Sequence, residues 1–87
     1  MNPFMVVCTH KPNTDMAEVA KVIPAEQEAA KNLQDAGRLG AIHLALPRGT
    51  VFLEIFAQDI SAAETTVREL PMSKWWDLDV FQVVRPH

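Results

Sequence analysis

The stretch from Ala41 to Phe56 constrains this chain more than any other. Two apolar runs with alternating faces, Ala41 to Leu46 and Val51 to Phe56, flank Pro47-Arg48-Gly49-Thr50, which predicts a β-hairpin. With Arg48 and Gly49 as the central turn residues, Leu46 pairs with Val51, Leu44 with Leu53 and Ile42 with Ile55. That face is wholly aliphatic and reads as core. The other face sets Ala45 opposite Phe52, Ala41 opposite Phe56 and His43 opposite Glu54. An acid/base pair is thereby predicted between small and aromatic walls.

The flanking segments supply the remaining elements. Phe4 to Thr9 is a continuous apolar, β-branched run that suits a strand covered on both sides, closed by the turn-prone His10-Lys11-Pro12-Asn13. From Asp15 to Ala36 the apolar spacing becomes helical, through Met16, Val19, Ala20 and Ile23, then Ala30 and Leu33. Asn13, Thr14 or Asp15 can cap this helix, and Gly37 can end it in the left-handed conformation. Pro24 removes a backbone donor and clashes with the preceding turn, so either a kink or two helices, the second starting at Pro24, is expected. Ser61-Ala62-Ala63-Glu64 matches a capping box, followed by a short helix with Ala63, Val67 and Leu70 buried and Pro71 as its stop. Met72 to Trp76 then connects to a last strand, Leu78 to Val84.

Strand, helix, strand, strand, helix, strand is the order of a split βαβ unit. It predicts a single α+β, ferredoxin-like domain over residues 1–87, with a four-stranded antiparallel sheet and helices on one face. The second face would carry Ala41, Ala45, Phe52, Phe56 and alternate residues of the last strand, such as Asp79, Phe81 and Val83. That is too apolar to leave wet, and 48% hydrophobic residues in an 87-residue chain point the same way. The expected partner is a second copy, two sheets packing face to face around a cavity. A net charge of −3 without a basic stripe argues against nucleic acid and anionic membranes as partners. The lone Cys8 can form no internal disulfide, and no basic leader or run of ~18 apolar residues occurs. A soluble, unprocessed, cytoplasmic protein is expected.

Several fragments resemble the muconolactone isomerases and their relatives among the dimeric α/β-barrel proteins. They are His10-x-Pro12 with Asp15-Met16, Glu26 followed by Leu33-Gln34 and Gly37-Arg38, Ile55-Phe56, and Leu70-Pro71-Met72 with Asp77-Leu78-Asp79-Val80. The resemblance spans nearly the whole chain. It implies a ferredoxin-like protomer, dimers closing a barrel, larger rings in the isomerase itself, and a pocket between sheet and helices that works without metal or organic cofactor. Two departures stand out. The segment after the helix-ending glycine reads Leu39-Gly40-Ala41-Ile42-His43 where the isomerases are richer in Trp and Arg, and Glu54 stands where their pattern has a small polar residue. The His43/Glu54 pair is therefore not inherited from that family.

The candidate chemistry is proton transfer. Directly opposed cross-strand residues have Cβ atoms ~5 Å apart, so a Glu54 carboxylate could hold the His43 imidazole in one tautomer as a general base. The alternative is an ion pair that only satisfies itself. Glu26, where the resemblance also has Glu, is either a second acid or base or a solvated helix residue. Phe52, Phe56, Trp75, Trp76 and His10 are candidate substrate contacts; of the adjacent tryptophans, alternation sends one inward and the other to a pocket or interface. Cys8 shares a strand face with His10, and a nucleophilic pair competes there with a plain core thiol. Arg48 and Lys74 are candidates for an anionic substrate. No spacing suggests a metal. The leading expectation is a cofactor-independent isomerase that moves a double bond in a small unsaturated lactone or related cyclic compound. The alternatives are a cofactor-free oxygenase or cyclase of aromatic compounds, and a non-catalytic binding or assembly module.

Overall fold

Pro24 divides the first helical segment. In the computed structural model, which describes residues 1–84, α1 spans Met16–Lys21 and α2 spans Ile23–Asp35. Pro24 occupies the first turn of α2, where its missing N–H leaves no bond unmade. The Asp15 carboxylate accepts from Ala17 N at 2.9 Å and caps α1. Gly37, at φ 73°, ends α2: its N–H bonds to Gln34 O while Arg38 N bonds to Leu33 O, the paired bonds of a Schellman turn.

Four strands form one antiparallel sheet: β1 (Asn2–His10), β2 (Leu39–Ala45), β3 (Thr50–Ala57) and β4 (Trp76–Gln82), in the order β2-β3-β1-β4. With α3 (Ile60–Val67) between β3 and β4, this is the expected ferredoxin-like arrangement. One sheet face carries Phe4, Val6, Cys8, Leu53, Ile55 and Trp76, all but inaccessible, packed with Leu33 of α2 and Ala63 and Val67 of α3. Each large aliphatic side chain so buried is worth about 1.5–3 kcal/mol. The other face carries Met5, Val7, Phe52, Glu54, Phe56, Asp79 and Phe81, half-buried or exposed.

The hairpin closes differently from expectation. Leu46–Arg48 forms a 3₁₀ turn with Pro47 in its first turn, and Gly49 follows at φ 61° with its N–H on Leu46 O. The loop is thus Leu46 to Gly49, and Ala45 pairs with Thr50. The register moves by two: Leu44 faces Val51, Ile42 faces Leu53 and His43 faces Phe52, with an irregularity between Leu39 and Ile42. An even shift keeps every side chain on its face and changes every partner. Nor is the aliphatic face all core, since Ile42, Leu44 and Leu46 are 38%, 59% and 76% exposed.

Two local expectations are also corrected. Asp59, not Ser61, caps α3, its carboxylate accepting from Ala62 N at 2.7 Å, because an earlier and charged acceptor meets the first free N–H groups. Pro71 opens a second 3₁₀ segment, Pro71–Trp75, so β4 begins at Trp76 rather than Leu78.

Candidate functional site

The displaced register moves Glu54 from the position directly opposite His43. His43 is exposed on β2, directly across from Phe52. Glu54 lies two residues further along β3 on the same face, a diagonal neighbour of His43. Its Oε1 accepts from Ala41 N at 3.2 Å. Gly40 makes room for this, since a Cβ there would lie 2.2 Å from Glu54 Oε1 and 3.1 Å from Phe56 Cε2. The sequence showed the glycine but not the carboxylate folded over it. Phe52 and Phe56 share the open face as expected, and Phe56 also lines a cleft of about 470 Å³ with Arg38, Asp59 and Thr66. Arg38 is engaged there, with its guanidinium on Glu69 and on Thr66 Oγ1.

A second group forms on the helix-covered side. Glu26 lies in the first turn of α2, half-buried, and its Oε1 accepts from Met72 N at 2.9 Å. Pro71 and Met72 begin a 3₁₀ turn whose own preceding residue, Leu70, offers no side-chain cap, so a carboxylate from a distant helix does that work. Burial raises the pKa of Glu26 above its ordinary value, and the bond from Met72 N opposes the rise. Cys8 is fully buried, and burial pushes its thiol up to about 12, with Arg68 lowering and Glu26 raising it further. With no accessible surface and a thiol held protonated by burial, Cys8 fits the plain core reading. Arg68 is held by the carbonyls of Ser73 and Trp76, the latter at 3.2 Å.

His10 and Trp76 stand directly across from one another at the end of β1. His10 Nδ1 lies 2.8 Å from Gly49 O. A carbonyl can only accept, so this bond places the proton on Nδ1 and leaves Nε2 of the neutral ring with its lone pair. That Nε2 and Trp76 Nε1 are both buried without a hydrogen-bond partner among the described residues. Trp76, 1% exposed, is a core residue, which corrects its assignment to a pocket wall: as the first residue of β4 it points between sheet and helices. Its half-buried neighbour Trp75 lies beneath Lys74, whose Nζ is 4.5 Å from the ring centroid. The sequence predicted the inward and outward pair without saying which was which.

Glu26, Cys8, His10 and Trp76 therefore gather on the helix side, and His43, Glu54, Phe52 and Phe56 on the open side. Among the described residues, no group of three or more His, Cys, Asp or Glu side chains is arranged to hold a metal, and no helix is long and apolar enough to cross a membrane.

Fold and sheet order define the class, an α+β ferredoxin-like protein. No protein-family model and no curated protein matches the chain. Among solved structures, a crystal structure of muconolactone isomerase is similar, with a TM-score of 0.73 and 22% identity over 95% of this chain and 88% of that one. The likeness establishes a shared fold.

Proposed function

We propose that this chain is the protomer of a cofactor-independent isomerase that moves a double bond in a small unsaturated lactone or related cyclic compound, with Glu26 carrying the proton. The observation behind this reading is the Glu26 carboxyl itself: half-buried, aimed by Met72 N, and holding its proton more tightly than an exposed carboxylate does. In its ionised form Glu26 takes a proton from the carbon γ to the carbonyl of an α,β-unsaturated lactone, the acidic position of such a ring. The C–H electron pair enters the conjugated system as an enolate, and the new carboxylic acid returns the proton at the far carbon. The similar solved structure is named for such an isomerase, which supports the reaction class. In this reading a second copy covers the open sheet face, and the protein works in the cytoplasm.

Glu26→Gln is the test. Glutamine keeps an oxygen for Met72 N and cannot carry the proton, so the fold persists while turnover falls by about 10²-fold or more. Double-bond migration in muconolactone and related butenolides, followed by NMR, reads the rate. Equal turnover by a folded Glu26→Gln protein rules the assignment out.

A further inference from the structure

Two buried nitrogens at the end of β1, His10 Nε2 and Trp76 Nε1, have no hydrogen-bond partner among the described residues, and their chemistry selects what can join them. His10 and Trp76 are directly opposed on neighbouring antiparallel strands, so both side chains lie on the same face of the sheet. Trp76 is 1% exposed and part of the core, which makes that face the one beneath the helices. The backbone around the pair is held in place: His10 N donates to Gly49 O at 3.2 Å, Lys11 N to Trp75 O at 2.7 Å and Arg68 Nη1 to Trp76 O at 3.2 Å. The His10 ring rests on Gly49, where a Cβ would lie 3.2 Å from Nδ1. Turning Nε2 outward would give up the 2.8 Å bond from Nδ1 to Gly49 O.

Trp76 Nε1–H can only donate. With a proton on Nδ1, His10 Nε2 accepts in the neutral ring and donates in the protonated one. A carboxylate or phosphate serves Trp76 but meets the lone pair of the neutral His10 ring. An ammonium serves that lone pair but sets N–H against N–H at the indole. A metal ion gains nothing from an indole N–H, and among the described residues no group of three or more His, Cys, Asp or Glu side chains is arranged to hold one. A hydroxyl oxygen accepts from Trp76 and either donates to or accepts from His10, so it serves the pair in both states of the ring. Internal waters are held in this way by buried polar groups without protein partners, and the hydroxyl of a small alcohol or phenol presents the same atoms.

We infer that His10 Nε2 and Trp76 Nε1 together hold one hydroxyl oxygen, of an internal water or of a small alcohol or phenol, between the sheet and the helices. The site depends on neither the isomerase reaction nor a second copy of the chain. It satisfies a donor and an acceptor whose burial unpaired would cost stability.

NMR on isotope-labelled protein tests the site. The chain has two tryptophans, so Trp75→Phe leaves the Trp76 indole N–H as a single signal. A rotating-frame Overhauser spectrum should show dipolar cross-peaks from water to this proton and to the His10 ring C–H protons that flank Nε2. Millimolar phenol separates the two sources. Where a phenol takes the site, the indole signal shifts saturably, the water peaks vanish and the phenol ring protons contact Trp76. Where water alone is held, phenol changes nothing. His10→Phe removes one of the two anchors and keeps a flat ring in place. In this variant, shown to be folded by circular dichroism, the water contact at Trp76 should be lost. A Trp76 N–H that contacts neither water nor phenol overturns the site. So does a water contact that His10→Phe leaves unchanged, because the indole then holds a water of its own. Should the phenylalanine variant not fold, the wild-type ring decides, since water contact at only one of the two residues overturns the shared oxygen.

Discussion

Cys8 provides a stability prediction whose sign and size follow from its burial. Its thiol has no accessible surface, and burial moves its pKa from 9.0 to about 12. Above about pH 9 the unfolded chain releases this proton while the folded chain keeps it. The unfolded state then binds fewer protons, so stability falls as pH rises and continues to fall until the folded thiol ionises near 12. Between about pH 8 and about pH 11 the loss from this one group is about 2–3 kcal/mol. Urea unfolding at a series of pH values, on the wild type and on Cys8→Ala, measures it. Alanine costs roughly 1 kcal/mol at every pH through the lost sulfur packing, but it removes the Cys8 contribution to the slope. The other titrating groups are common to both proteins, so the difference between the curves isolates Cys8. The two stabilities should converge and then cross as pH increases. Parallel curves would refute the reasoning, and rapid labelling of the native thiol at pH 8 would refute the burial on which it rests.

Two further substitutions test the corrected local structure. Gly40→Ala drives a Cβ into Glu54 Oε1 and against Phe56, which ejects the carboxylate from Ala41 N and costs about 1–2 kcal/mol in thermal unfolding. The same substitution in a Glu54→Ala background should cost clearly less, and additive losses would contradict the contact. Asp59→Ala should lower stability by about 1 kcal/mol and Ser61→Ala by less than about 0.5, the reverse of what a Ser61 capping box requires.

How far the fold can be read from the chain depends on whether the signal is local. Helix ends are local: Asp15 beside the first apolar stripe, Pro24 inside it and Gly37 after it each act through backbone chemistry within one turn, and each does so in the structure. Alternation is local too, which is why Phe52, Glu54, Phe56 and His43 share a face as expected. Register is not, because it depends on how many residues the loop consumes. Pro47 and Gly49 fit a two-residue turn centred on Arg48-Gly49 as well as the 3₁₀ turn that forms, and the choice between them moved His43 from Glu54 to Phe52. Burial along the aliphatic face was equally hidden. Leu53 and Leu44 are the same residue in the same alternation, yet only the first lies beneath the helices. The Glu26 group was the least visible, since its partner Met72 is far away in sequence and no spacing rule links a helix carboxylate to a 3₁₀ turn.

The proton-transfer account turns on Glu26, and the most direct measurement is double-bond migration in muconolactone by wild-type and Glu26→Gln protein in deuterated water, followed by NMR. The account predicts that the wild type isomerises the lactone and exchanges the migrating hydrogen with solvent, while the folded glutamine variant does so at least about 10²-fold more slowly. Equal rates of isomerisation and exchange in the two proteins would contradict it.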